Sequence, residues 1–105
     1  MESLTLEHDR DGDIPILRLR GELDRLTVDD VDRAVRELAS SGAAAIVLDL
    51  RDLEFIDSAG LRSLSRAHNL LAESGRTLVV RSPSPAIHRL IELVGLLDIL
   101  TIETS

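Results

Sequence analysis

The sequence predicts an α/β fold: a small mixed β-sheet in which an opening β-hairpin is followed by parallel βαβ units, with helices packed against it. Three observations carry this. Apolar and polar residues alternate on either side of a polar turn at 9–13, residues 43–50 are almost continuously apolar, and stretches with helical spacing separate the later strand patterns. At 105 residues the chain fits one domain, 1–105, with a single core.

Residues 4–8 form the first expected strand, with Leu4, Leu6 and His8 on one face. Residues 14–20 form the second, where Pro15 cannot donate to a ladder and so belongs at a strand beginning or edge. Gly21-Glu22-Leu23-Asp24 reads as a strand exit. Thr27 then stands as an N-cap with Asp30 three residues on, a capping-box variant, and Val28, Val31, Val35 and Leu38 follow at helical spacing up to Gly42. The outer face of this helix, with Asp29, Asp32, Arg33, Arg36 and Glu37, reads as a solvated surface carrying no function.

Residues 43–50 have the composition of a strand covered on both faces, hence a central and parallel one. Asp49, near its end, is expected at the exposed carboxyl edge or bonded to the next turn. Across 53–61 a strand pattern stops, a small turn intervenes and a helix begins, with Ser58 at the hinge. Leu61, Leu64, Ala67, His68 and Leu71 mark the buried side of that helix, closed by Gly75. Residues 76–81 make a further strand. Ser84 reads as an N-cap with Pro85 at the first helical position. Ile87, Leu90, Ile91 and Val94 face the core, Gly95 ends the third helix, and residues 97–103 alternate weakly as a last strand. The expected order is ββαβαβαβ, and such crossovers place partners at the carboxyl ends of the strands. Ser58 lies at that edge, and Asp24 lies near it if their strands are neighbours.

Composition narrows the function. The formal charge is −7, every one of the 12 cations is an arginine, and Phe55 is the only aromatic residue. Clustered cations and stacking rings are what nucleic acid requires, so the expected partner is a protein and not a nucleic acid. With no cysteine, no signal-peptide pattern and no apolar span of about 20 residues, the sequence predicts a cytoplasmic protein without a membrane partner. His8, His68 and His88 show neither metal-ligand spacing nor a triad arrangement, and His68 lies about 15 Å along the helix from Ser58. The glycines punctuate turns singly instead of forming a phosphate loop. No enzyme, no catalytic residue, no metal and no cofactor are therefore expected, and nothing places a substrate between Asp24 and Asp57.

Two readings of Ser58 remain. As a helix cap it contributes about 1 kcal/mol. As a phosphoacceptor it is left accessible by Ala59 and Gly60, and a phosphate at a helix N-terminus is tolerated while its charge, beside Asp57, opposes an acidic or apolar partner surface. Arg62, one turn on, is placed to reach back to such a phosphate.

Taken together, Gly21-Glu22-Leu23-Asp24, Val47-Leu48-Asp49-Leu50, Phe55-Ile56-Asp57-Ser58-Ala59-Gly60-Leu61, Ser84-Pro85-Ala86-Ile87-His88-Arg89-Leu90 and Gly95-Leu96 resemble the STAS domains, and among them the bacterial anti-sigma factor antagonists. The resemblance implies a partner-switching module. Unphosphorylated, it binds an anti-sigma factor with serine kinase activity and frees a sigma factor. The kinase then phosphorylates the serine matching Ser58, the complex dissociates, and a metal-dependent serine phosphatase restores it. By the same resemblance Asp24 and Asp57 flank the docking surface, Gly60 and Leu61 open the helix the kinase packs against, and the ATP belongs to the partner. Ala59 departs from the second hydroxyl residue that family members often carry there. Many members also continue into a further helix, whereas this sequence stops at Ser105. A constitutive interaction subunit of a transporter ATPase or signalling scaffold, with Ser58 only a helix cap, is the alternative; a nucleophilic Ser58 is the third.

Overall fold

A computed structural model describes residues 3–104; of the expected span 1–105, Met1, Glu2 and Ser105 lie outside the described residues. The elements are β1 (Leu4–Asp11), β2 (Ile14–Leu23), α1 (Val28–Ala39), β3 (Ala45–Asp49), β4 (Leu53–Ile56), α2 (Ser58–Ala72), β5 (Thr77–Arg81), α3 (Pro85–Leu93) and β6 (Thr101–Glu103). They build one six-stranded mixed sheet in the order β1-β2-β3-β5-β6, with β4 paired to β2 off that path. Among the described residues the β1–β2 hairpin is antiparallel, and β2–β3, β2–β4, β3–β5 and β5–β6 are parallel. The hairpin and the helix-linked parallel strands are as the sequence predicts.

The expected order omits β4. Ile16, Leu17 and Arg18 of β2 pair with β3, whereas Gly21, Glu22 and Leu23 pair with β4 across a register shift between Gly21 and Glu22. Gly21 permits the shift: its φ is +108°, and a Cβ there would run into the backbone oxygen of Ser3. β2 thus serves two partners in succession, and the second delivers the chain to the start of α2. The hairpin is also tighter than expected, since Asp11 pairs with Ile14 and the charged run 9–11 belongs to β1. The last strand is shorter than 97–103, because residues 96–100 form turns before β6.

All three helices bury their apolar stripes on one side of the sheet. Val31 and Val35 of α1, Leu64 and Leu71 of α2, and Ile87 and Ile91 of α3 join Leu17, Leu48, Leu78 and Val80 in a single cluster. Leu90 and Val94 share the expected spacing yet stay exposed, and His8 is exposed as well. Two polar expectations change. Thr27 occupies the N-cap of α1, but its hydroxyl makes no cap bond there; it accepts from the Asp24 N–H at 3.0 Å and donates to the Glu22 carbonyl at 2.9 Å, so the capping box with Asp30 does not form. Asp32 is not merely solvated: it accepts from the buried Ser63 hydroxyl at 2.7 Å and from Arg66 at 2.8 Å, tying α1 to α2. Arg76 adds a second tie by donating to the Ala39 carbonyl at the end of α1, 2.6 Å away.

On the opposite face of the sheet, register neighbours Glu7, Arg18, Asp49, Arg81 and Glu103 form a row of alternating charge across five strands. Arg18 meets Asp9 at 2.6 Å and Asp49 at 3.5 Å, and Arg81 meets Glu103 at 2.5 Å. The hydrogen bond from Arg18, followed by that from the Arg10 N–H, holds the Asp9 carboxyl below its ordinary range. Asp49 is buried and also accepts from the Arg51 N–H at 3.0 Å, the structural role expected for it. Cross-strand pairs of this kind favour one register over a slipped one.

Candidate functional site

The site is built where β4 runs into α2. Asp57 remains extended, with φ −110° and ψ −172°, and Ser58 is the first helical residue. The Asp57 N–H donates to the Leu23 carbonyl at 3.2 Å, prolonging the β2–β4 pairing. One carboxylate oxygen, Oδ1, accepts from the Gly60 N–H at 2.9 Å; the other, Oδ2, accepts from the Arg25 N–H at 3.2 Å. Asp57 therefore caps α2 and anchors the β2–α1 loop with a single side chain.

This corrects the assignment of the cap to Ser58. Both residues are good N-caps by type, and the bond to Gly60, three residues after Asp57, decides between them. Released from capping, Ser58 is exposed, and among the described residues its hydroxyl has no hydrogen-bond partner.

Asp24 lies across from this start, in the loop that Asp57 anchors. Its Oδ1 accepts from the Leu26 N–H at 2.9 Å, a local Asx turn, and from the Thr27 hydroxyl at 3.3 Å, whereas both Asp57 oxygens accept from backbone N–H groups; no hydrogen bond joins the two carboxylates as an acid–base pair. Gly60 is buried, and a Cβ on it would stand 2.5 Å from the Leu23 carbonyl oxygen and 2.6 Å from Ile56 Cγ1. Leu61 is buried as well. Gly60 and Leu61 thus seat the helix against the sheet, while Ser58 and Arg62 are presented to solvent.

Ser58, Leu61, Arg62, Ser65, Val94 and Leu96 line one shallow groove of about 250 Å³ between α2 and the chain leaving α3. Val94 and Ser65 were not legible as site residues. The spacing of Val94 is that of a core position, yet it is 53% exposed; Leu93 beside it is 64% exposed, and Leu26 in the anchored loop is 74% exposed. A lone leucine between Arg25 and Thr27 was the one available signal for Leu26. A second groove, about 290 Å³ between α1 and α2, is lined by Asp32, Val35, Arg36, Arg66 and Leu70 among others and contains none of the expected site residues. Among the described residues no three His, Asp or Glu side chains are grouped to hold a metal, and no helix is long and apolar enough to cross a membrane.

Comparison with known families matches residues 5–105 to the STAS domain. The chain belongs to the STAS domain family. It is 34% identical over 101 residues to the anti-sigma F factor antagonist of Paenibacillus polymyxa, covering 95% of this chain and 86% of that protein. It is 30% identical over 95 residues to the anti-sigma-F factor antagonist RsfB of Mycobacterium tuberculosis, covering 90% of this chain and 77% of that protein. The crystal structure of an anti-sigma factor antagonist from Mycobacterium paratuberculosis superimposes with a TM-score of 0.87 at 26% identity, over 96% of this chain and 86% of that one. This STAS domain therefore falls with the anti-sigma factor antagonists.

Proposed function

We propose that this STAS domain antagonises an anti-sigma factor with serine kinase activity, and that phosphorylation of Ser58 switches the interaction off. The observation that carries the reading is the exposed, unbonded hydroxyl of Ser58 beside a cap held by Asp57. A hydroxyl committed to capping would have to leave its N–H partners to react; this one does not.

In the unphosphorylated state the partner covers the start of α2, with Leu26 and Val94 supplying apolar contact and Asp24 and Asp57 fixing the two loops beneath it. The kinase then transfers the γ-phosphoryl group of its own ATP. The Ser58 Oγ–P bond forms, the bond from phosphorus to the ADP oxygen breaks, and the hydroxyl proton passes to a base on the kinase. The product places about −1.5 to −2 charges against a surface matched to a neutral hydroxyl. Weakening the complex a hundredfold takes about 2.7 kcal/mol, within what an uncompensated interfacial charge costs. The fold is spared, because a helix N-terminus accommodates negative charge. A metal-dependent serine phosphatase returns the domain to its binding form. The competing reading is a constitutive subunit; with the cap held by Asp57 it leaves the exposed Ser58 hydroxyl without the capping role that reading gave it.

Incubating the domain with the kinase-type anti-sigma factor of its host and ATP, then mapping phosphate by mass spectrometry, tests this. One phosphoryl group on Ser58 and none on the Ser58→Ala variant is the expected result. Phosphate at another residue, or undiminished labelling of Ser58→Ala, overturns it.

A further inference from the structure

We infer that Arg62 holds the phosphate once Ser58 carries one, drawing it into the groove between α2 and the chain leaving α3. The inference rests on Ser58 being the phosphoacceptor and names the residue that receives the modified side chain. Two observations point to Arg62.

The first is its lack of a partner in a chain with carboxylates to spare. Acidic residues number 19 against 12 arginines, and most arginines are engaged: Arg18 with Asp9, Arg20 with Asp52, Arg33 with Asp30, Arg66 with Asp32, Arg81 with Glu103 and Arg89 with Glu92. Among the described residues only Arg25, Arg36 and Arg62 have no side-chain hydrogen bond or ion pair. Arg36 lines the groove between α1 and α2, and Arg25 lines neither that groove nor the one at Ser58.

The second is position. Arg62 follows Ser58 by four residues on the same helix, about 6 Å along the axis and on the same face. Both line the one groove, together with the Ser65 hydroxyl and the apolar side chains of Val94 and Leu96. A guanidinium matches phosphate oxygens two at a time, and Ser65 offers a further donor, while Val94 and Leu96 put apolar surface on the far wall. The groove thus supplies a cation and a hydroxyl to a group that the unmodified protein does not yet possess.

The charged groups around the phosphate are Asp57, which precedes Ser58, Arg62 one turn on, and Asp24 and Arg25 of the loop that Asp57 anchors; the α3 side contributes only Val94 and Leu96 to the groove. Asp57 favours the singly charged phosphate and Arg62 the doubly charged one. Phosphoserine installed at position 58 during translation, without any kinase, allows the second ionisation to be followed by phosphorus NMR in the full chain. Arg62→Gln is expected to raise that pKa by about half a unit or more, whereas Arg36→Gln leaves it in place. An unchanged titration in Arg62→Gln, or an equal rise in Arg36→Gln, overturns the assignment. Because the phosphoserine is installed during translation and not by a kinase, such a failure leaves the phosphoacceptor reading intact, and that reading stands or falls on the phosphate map.

Discussion

Ser58→Asp is expected to leave the domain folded and to weaken its hold on the kinase-type anti-sigma factor by about a hundredfold. Folding is spared for two reasons. Asp57, not Ser58, holds the Gly60 N–H, so the substitution removes no cap, and an acidic side chain in the first turn of a helix is favourable by about 0.3–1 kcal/mol. Binding is lost because a fixed negative charge enters the surface beside Asp57. Titration calorimetry with the partner and a thermal melt of the free variant separate the two effects. Native-like affinity in a folded variant would count against a charge-sensitive interface at this turn.

The second large effect is expected at Gly60. Replacing an exposed glycine inside a helix by alanine ordinarily stabilises by about 1 kcal/mol. Here the sign reverses. The new methyl carbon would sit 2.5 Å from the Leu23 carbonyl oxygen and 2.6 Å from Ile56 Cγ1, and the Leu23 carbonyl already receives the Asp57 N–H that joins β2 to the start of α2. Relief requires α2 to move off the sheet, which strains the cap and the anchored loop together. Gly60→Ala is therefore expected to destabilise by about 1–3 kcal/mol, the range for overpacking a well-filled interior. At roughly 4–8 °C per kcal/mol for a domain of this size, the loss is visible as a lowered Tm. A melting temperature equal to or above that of the native chain would contradict the close seating of α2.

The same turn shows what a sequence carries and what only packing decides. The hairpin, the three helices and the central strand announce themselves through period and composition. The strand β4 registers only as the pattern that stops at the Ser58 turn and not as a strand of its own in the order, because its four residues pair with β2 alone and bury only Leu53 and Ile56. Asp57 and Ser58 are equally good caps by residue type, and a one-residue shift of the helix start passes the duty from one to the other. Leu90 and Val94 follow the same spacing as Ile87 and Ile91 yet face outward, since a helical period gives the spacing of a stripe but not how wide a stripe the sheet covers. The Asp32–Ser63 bond joins residues 31 apart, so no local pattern announces it. At the site, Ser58, Asp57 and Asp24 were legible as a hydroxyl and two carboxylates at one sheet edge. Their division of labour was not, because it depends on which backbone N–H groups β2 and α2 bring within reach.

The most direct measurement is the affinity of the native domain and of Ser58→Ala for the kinase-type anti-sigma factor, before and after ATP is supplied. The native domain should lose its partner by about a hundredfold once ATP is present, while Ser58→Ala holds on regardless. Release of Ser58→Ala on addition of ATP, or retention of the native domain after it has been phosphorylated, would contradict the switch.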